Sequence, residues 1–346
     1  MPTIDLRSDT VTKPTPAMRQ TMAAAEVGDD VFGEDPTVNH LQEKIAKLLG
    51  KDAALFVASG TMGNQLCIKA QTSPGDEVIC EHGAHFLHYE GGALGLLSGV
   101  QPRPLAGANG ILTAEQIEDA IRPSVYYYPK TRLIALENTH NLAGGVVYPI
   151  EEIRRIHEMA KRNDLKIHLD GARLWNASIA SGIAPHEYSR YFDSVSVCLS
   201  KGLGAPVGSV VAGSTEFIAQ ARHLRKVFGG GMRQAGILAA AGIYALDHHL
   251  ERLADDHANA KLLAENLSTI DGVRINLETV QTNIVILDIA GTKMTPATAV
   301  ERLARAGVLV APFGKTTLRA VTHLDVDRQG IIAASEIFRN SLRIVD

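Results

Sequence analysis

The chain has 346 residues, 45% of them hydrophobic and 21% charged, with a net charge of −4, a profile that fits a folded protein large enough for two compact units. No basic surplus points to nucleic acid, no apolar run reaches membrane-spanning length, and Met1–Arg7 lacks the basic-then-apolar layout of a secretion signal. The three cysteines, Cys67, Cys80 and Cys198, sit in apolar segments without metal-ligand spacing, so buried thiols in a reducing cytoplasm are expected, and no metal site.

Residues 1–16 are polar, rich in Thr and Pro, and read as an extended N-terminal arm. Short apolar runs then alternate with helical patterns. Strands are expected at Ala53–Ala58, Glu77–Cys80, Leu133–Leu136, Lys166–Leu169, Ser194–Leu199 and Val207–Ala212. Helices such as Met62–Gln71, Thr113–Ile121 and Ile150–Arg162 lie between them. That alternation predicts a large α/β domain over residues 17–255, with a mostly parallel sheet between helix layers. A long helical stretch, Ala235–Leu267, is interrupted near Asp255-Asp256. Beyond it, Val273–Leu277, Asn283–Ile289, Val308–Ala311 and Leu318–Ala320 read as strands, and Pro296–Ala306 and Asp327–Leu342 as helices. Residues 256–346 thus read as a small C-terminal α+β domain of about a hundred residues.

In such sheets ligands gather at the carboxyl ends of the strands, and the chemically suggestive residues lie there. Lys201, in Ser200-Lys201-Gly202-Leu203-Gly204, follows one apolar run, and Asp170, in His168-Leu169-Asp170-Gly171-Ala172-Arg173, follows another. A lysine that forms imines and a carboxylate that keeps a pyridinium nitrogen protonated are the two groups a pyridoxal phosphate site needs. Taken singly, each also suits a surface lysine or a structural aspartate. Ser59-Gly60-Thr61 opens a helix after a strand. Its free N–H groups and hydroxyls make an anion cradle, suited to the cofactor phosphate, or a plain capped helix start. His85 reads as a flat ring able to stack on a pyridine, or as a polar loop residue. Arg173 offers a planar fork for a carboxylate or for the phenolic oxygen of the cofactor. Arg319 lies in an apolar strand, so it is either paired or faces a cleft as a second carboxylate clamp. Gly229-Gly230-Gly231-Met232-Arg233-Gln234, with Lys226, reads as a phosphate contact on a neighbouring subunit or as a hinge. His140, in Glu137-Asn138-Thr139-His140-Asn141, reads as a proton-transfer group or a loop hydrogen-bonder.

In this order, and joined by Leu6-Arg7-Ser8-Asp9-Thr10-Val11-Thr12, Val27-Gly28-Asp29-Asp30-Val31-Phe32-Gly33 and Val321-Thr322-His323-Leu324, these motifs resemble the L-threonine aldolases over nearly the whole chain. The resemblance implies an aspartate-aminotransferase-like fold (pyridoxal-phosphate fold type I) with a seven-stranded sheet in the large domain. It implies pyridoxal 5'-phosphate as cofactor, attached to Lys201, with Asp170 at the ring nitrogen and His85 stacked on the ring. Ser59, Gly60 and Thr61 would hold the phosphate, and Lys226 and Arg233 would reach it from a partner subunit. Ser8, Arg173 and Arg319 would hold the substrate carboxylate. A homotetramer built from dimers is implied, with the arm completing a neighbour's site. Similar enzymes commonly carry Tyr where this chain has Phe32 and often His where it has Tyr127, so Tyr127 becomes a candidate, beside His85, for contact with a substrate β-hydroxyl. The implied activity is reversible retro-aldol cleavage of L-threonine, L-allo-threonine and other β-hydroxy-α-amino acids to glycine and an aldehyde, with His85 or a water it holds as base. A β-eliminating lyase or an amino-acid racemase on the same scaffold is one alternative, and a non-catalytic pyridoxal-phosphate-binding protein is another. A nicotinamide oxidoreductase would need a Gly-x-Gly-x-x-Gly turn that the first unit lacks.

Overall fold

The computed structural model describes residues 3–343. Its strands are β1 (Ile4–Asp5), β2 (Ala53–Val57), β3 (Glu77–Glu81), β4 (Gln101–Leu105), β5 (Thr131–Glu137), β6 (Lys166–Gly171), β7 (Ser194–Cys198), β8 (Ser209–Gly213), β9 (Ile284–Asp288), β10 (Val308–Leu309), β11 (Ala311–Pro312) and β12 (Thr317–Val321). A seven-stranded sheet runs in the order β2-β8-β7-β6-β5-β3-β4. β4, β3, β5, β6 and β7 are parallel, while β8 pairs antiparallel with both β7 and β2.

The near-continuous apolar character of the inner strands follows from this arrangement, because helices cover both faces of a parallel sheet. The helix Ile150–Arg162 illustrates how they do so. Ile153, Ile156, Met159 and Ala160 are buried at helical spacing, forming one apolar stripe. Glu151 and Glu152 open its first turn and Lys161 and Arg162 close its last, matching the helix dipole at both ends. The strand absent from the sequence pattern is β4, Gln101-Pro102-Arg103-Pro104-Leu105, which lacks an apolar run and is buried at no position. Its prolines are tolerated because it is the sheet edge, where N–H groups on one side have no partner strand.

Three sequence expectations near the C-terminus change, the first being that Val308–Ala311 is not one strand but divides between β10 and β11, which join different sheets. Val273–Leu277 is not a strand: Arg274 makes only an isolated bridge to Asp288, and Leu277–Thr279 forms a short 3-10 turn. The long helical stretch breaks at His249–Arg252, between helices Gly236–His248 and Leu253–Leu267, rather than at Asp255-Asp256.

The hydrophobic core divides accordingly. Leu253 packs in the large core, while Ala260, Leu263 and Leu267 of the same helix pack in the small one, so a single helix carries the chain across. The small unit has a three-stranded sheet, β11-β12-β9. The N-terminal arm also belongs to this unit. β1 pairs parallel with β10, Leu6 N–H donates to the Leu309 carbonyl at 2.8 Å, and Val321 N–H donates to the Leu6 carbonyl at 2.8 Å. The Leu6 side chain is buried in the small core. Among the described residues, no helix is long and apolar enough to cross a membrane.

Candidate active site

The parallel strands deliver Glu137, Asp170 and the Ser200-Lys201 turn to one edge of the sheet. Beside them begins the helix Gly60–Gln71, capped by Ser59, whose Oγ accepts from Met62 N–H at 3.1 Å. This helix rides closely on β7. A Cβ on Gly60 would lie 2.9 Å from Cys198 Sγ, and one on Gly63 would lie 2.4 Å from Ser196 Oγ. The glycine at position 60 is thus required first by packing against the sheet.

Two cavities meet at this edge. One, of about 330 Å³, is lined by Ser59, Gly60, Thr61, Asp170, Cys198 and Lys201 among others. The other, of about 300 Å³, is lined by Ser8, Tyr89, Asn141, Arg173, Phe313 and Arg319 among others. Thr10, His85 and Lys201 line both. A larger hollow of about 820 Å³ opens between Lys51, Asp164 and Gln220 at the opposite, amino edge of the parallel strands, away from all of these groups.

The first cavity fits pyridoxal phosphate by its donor set. A helix N-terminus with two hydroxyl side chains suits a phosphate. Asp170 is buried; its Oδ2 accepts from Asn64 Nδ2 at 2.7 Å and its Oδ1 from Ala172 N–H at 3.1 Å. Those bonds hold a carboxylate that would suit a pyridinium nitrogen, and Lys201 would supply the amine. Two carboxylates set the orientation of Asn64, since its Nδ2 also donates to Glu90 Oε1 at 2.9 Å. Its Oδ1 faces Nε2 of the buried His168, 3.2 Å away, whose imidazole burial brings down to about 4 despite the nearby Asp170.

His85 lies where the cavities join. Its backbone N–H donates to Glu137 Oε2 and its Nδ1 bonds Glu90 Oε1, both at 2.9 Å. Burial lowers its proton affinity, but Glu90, Asp170 and Glu137 together raise it above the ordinary imidazole value. Burial also raises the Glu137 carboxyl.

The second cavity gathers two arginines, Arg173 and Arg319. Arg173 Nε and Nη2 donate to Asp9 Oδ2 and Oδ1, each at 2.8 Å, and both side chains are buried. Asn283 Nδ2 adds a bond to Asp9 Oδ2 at 3.1 Å. One oxygen, Asn141 Oδ1, accepts from Arg173 Nη1 at 3.3 Å and Arg319 Nη1 at 3.0 Å. Arg319 also stacks on Phe313, 5.1 Å from the ring centre, and its Nε is buried without a partner among the described residues. Since Asp9 occupies two Arg173 donors, Arg319 retains the greater free capacity for a carboxylate.

Ser8, Ser59, Gly60, Thr61, His85, Asp170, Arg173, Lys201 and Arg319 therefore lie together. Lys226, Arg233 and Tyr127 do not line either cavity. Lys226 and Arg233 are exposed, and Arg233 Nη1 donates to Asp29 Oδ2 at 2.9 Å with its guanidinium over Phe32. Tyr127 is 65% exposed, packed against Tyr126 and Tyr128 on an outward loop; that loop leaves β5 from its amino end, which carries it away from the carboxyl edge. Ser8 and Thr10 of the arm line the cavity of their own chain. His140 serves its loop: Nδ1 accepts from Ala143 N–H at 3.2 Å while Nε2 faces Glu81 Oε2 at 3.0 Å.

Sequence reasoning assigned no role to Asp9, Asn64, Glu90 and Asn141. Asn64 and Gln65 stand as a polar pair beside Leu66, Cys67 and Ile68 in a buried helix segment, a pattern that called for polar partners. Glu90 carried no such signal.

Comparison with known proteins agrees with this geometry. Residues 5–290 match the family of β-eliminating lyases. The chain is 45% identical to low-specificity L-threonine aldolase 1 of Arabidopsis thaliana, covering 99% of this chain and 97% of that one. It is 41% identical to the low specificity L-threonine aldolase of Escherichia coli K12, covering 97% and 98%. The fold matches the Leishmania major threonine aldolase with a TM-score of 0.84 at 20% identity, covering 98% and 99% of the chains. It also matches the aspartate aminotransferase of Rhizobium meliloti with a TM-score of 0.70 at 17% identity, covering 100% and 92%.

Proposed function

The chain belongs to the β-eliminating lyase family, and on that footing we propose that it is a pyridoxal-phosphate-dependent aldolase. It cleaves L-threonine, L-allo-threonine and other β-hydroxy-α-amino acids to glycine and an aldehyde, acetaldehyde in the case of threonine. The observation that carries this reading is the cavity pair: Arg173 and Arg319 line the space that Lys201 and His85 join to the cofactor cradle. A protein that only stored the cofactor would have no use for two arginines beside it.

When bound, pyridoxal phosphate supplies an electron sink for the bond broken at the substrate α-carbon. Ser59, Gly60 and Thr61 hold its phosphate, Asp170 meets its ring nitrogen, and Lys201 anchors it. Arg319, with the remaining donor of Arg173, binds the substrate carboxylate. Fixing the carboxylate fixes rotation about Cα and so selects which bond breaks. His85 Nδ1 is committed to Glu90, which leaves Nε2 to take the β-hydroxyl proton, a task suited to an imidazole.

In a homotetramer, Tyr127, Lys226 and Arg233 of one subunit reach a neighbour's site; their exposure on the single chain supports this reading. Three buried free thiols support a reducing cytoplasm. The deciding experiment adds pyridoxal phosphate to purified protein, follows the absorbance of the lysine-bound cofactor, and then follows acetaldehyde with L-threonine and L-allo-threonine separately. Acetaldehyde with matching glycine is expected, and Lys201→Ala should abolish both signals. Pyruvate with ammonia would identify an eliminating lyase, and a D-amino acid a racemase. Subunit mass in solution tests the tetramer.

A further inference from the structure

Glu90 is a buried carboxylate with no assigned part in the chemistry above, and its side chain is wholly inaccessible. No lysine or arginine pairs with it among the described residues. Its Oε1 bonds His85 Nδ1 and Asn64 Nδ2, both at 2.9 Å, and its Oε2 accepts from Gln65 Nε2 at 2.7 Å. The same Asn64 nitrogen donates to Asp170 Oδ2 at 2.7 Å. One amide thus joins the carboxylate behind His85 to the carboxylate that faces the cofactor ring.

The direction of each bond can be worked out. Asn64 Nδ2 faces two carboxylates that only accept, so its NH₂ gives each of Glu90 and Asp170 one proton. Its Oδ1 then accepts from His168 Nε2–H at 3.2 Å, while His168 Nδ1 accepts from the Ser194 hydroxyl at 2.9 Å beside the Ser194 carbonyl at 3.3 Å. A carboxylate only accepts, so the bond between His85 and Glu90 is an Nδ1–H donation, and neutral His85 has its lone pair on Nε2. Nε2 has no hydrogen-bond partner among the described residues, and His85 lines both cavities.

We propose that Glu90 is a positioning residue for the cleavage: it holds His85 in the tautomer whose Nε2 is basic and, through Asn64, couples that ring to Asp170. The base role rests on the proposed aldolase reaction, whereas the tautomer and the coupling do not. The charged and titratable groups around His85 are Glu90, Glu137 of β5, Asp170 of β6, Lys201 after β7, Arg173, Arg319 and Tyr89. Of the carboxylates, Glu90 alone bonds the ring directly. A carboxylate that orients an imidazole base in this way typically acts on turnover far more than on binding.

The test is Glu90→Gln, which keeps the volume and removes the charge. Histidine NMR, with the His85 signal assigned from His85→Asn, follows ring titration and tautomer in cofactor-free and cofactor-loaded protein. The His85 titration should move to lower pH in the variant, and the acid limb of kcat/KM should move with it. Losing the negative charge behind Nδ1 should cost kcat roughly a hundredfold with KM little changed. Glu90→Asp should restore the titration, because the charge returns, but not the full rate, because its reach is shorter. Asn64→Ala is the second variant and does not depend on Glu90→Gln folding. It should weaken cofactor affinity through Asp170 while the Nδ1–H tautomer of His85 persists. An unmoved His85 titration and tautomer in Glu90→Gln would overturn the assignment, even in active enzyme. Unchanged cofactor affinity in Asn64→Ala would overturn the coupling. Wild-type protein that titrates as described yet releases no acetaldehyde would instead overturn the proposed reaction, and with it the base role.

Discussion

Asp9→Ala tests the buried ion pair beneath the carboxylate site. The substitution removes two charge-assisted bonds to Arg173 of 2.8 Å each and one from Asn283 of 3.1 Å. Arg173 keeps only the 3.3 Å bond to Asn141 and stays buried with its charge uncompensated. Two charge-assisted bonds of about 1.5–3 kcal/mol each bound the loss near 6 kcal/mol. Breaking a buried pair from one side typically costs about 3–5 kcal/mol, and that range is expected here. Urea unfolding of cofactor-free protein is the assay, because ligand binding would add to the measured stability. The pH dependence supplies a second check. Burial alone would raise the Asp9 carboxyl, but Arg173, with help from Lys201 and Asn283, holds it well below the ordinary value. A depressed carboxyl contributes its full stability above its unfolded pKa of about 3.9 and loses that contribution as pH falls through the folded pKa. The gap between wild type and variant should therefore stay constant from neutral pH down to about 5 and close only in stronger acid. A loss below about 1 kcal/mol, the range of exposed pairs, would refute the claim that this pair is desolvated. So would a gap that closes between pH 8 and 6.

Arg319→Lys removes the free Nε and the planar fork, so KM for threonine should rise roughly ten- to a hundredfold with a smaller effect on kcat; steady-state kinetics with an unchanged KM would move the clamp elsewhere. Gly60→Ala should weaken cofactor affinity, measured by absorbance titration, because its methyl would meet Cys198 Sγ at 2.9 Å. Cys198→Ala should restore that affinity in the double variant, and failure to do so would implicate the phosphate cradle instead of the sheet contact. Tyr127→Phe should leave cofactor affinity unchanged and alter the ratio of rates on L-threonine and L-allo-threonine; equal ratios would remove Tyr127 from the neighbour's site.

Residues that hold themselves in place through apolar runs were the legible ones. Asp170 lies at the end of the buried strand β6 and Lys201 follows the buried strand β7, and a strand end at a parallel sheet edge is a predictable address. The helix start at Ser59 was legible for a local reason, since its cap depends on a residue three positions away. β4 was illegible because an edge strand need not bury a face, and Pro102 and Pro104 erase the usual pattern. Asp9 and Glu90 were missed because their reasons are not local. Asp9 meets Arg173 across 164 positions, and Glu90 meets Asn64 across 26. No periodicity encodes such pairs; only the folded sheet brings them together. The arm shows the same limit. Its polar sequence read as a loose extension, yet Leu6 fills the small core because β10 and β12 bond its backbone from either side.

The arm's docking has a consequence for substrate selection. Arg319 lies on β12 and Asp9 follows the arm segment bonded to β12, so both belong mechanically to the small unit; Arg173 and Asn141 belong to the large one. The carboxylate site is therefore assembled across the junction, with two guanidinium groups sharing Asn141 Oδ1 and a single carboxylate, Asp9, between them. These three charges sum to one positive charge. Burial and the neighbouring Arg173 both press the Arg319 guanidinium below its ordinary value, which is the signature of a cation waiting for a counter-ion. A substrate carboxylate bound there, as proposed, would balance that charge. A second negative charge would exceed what the pair can neutralise and would carry a desolvation cost with no compensating partner. A hydroxyl in place of the carboxylate would leave the cation unbalanced. If Arg173 and Arg319 hold the substrate carboxylate as proposed, this charge balance predicts that monoanionic α-carboxylates are preferred over substrates with a second carboxylate.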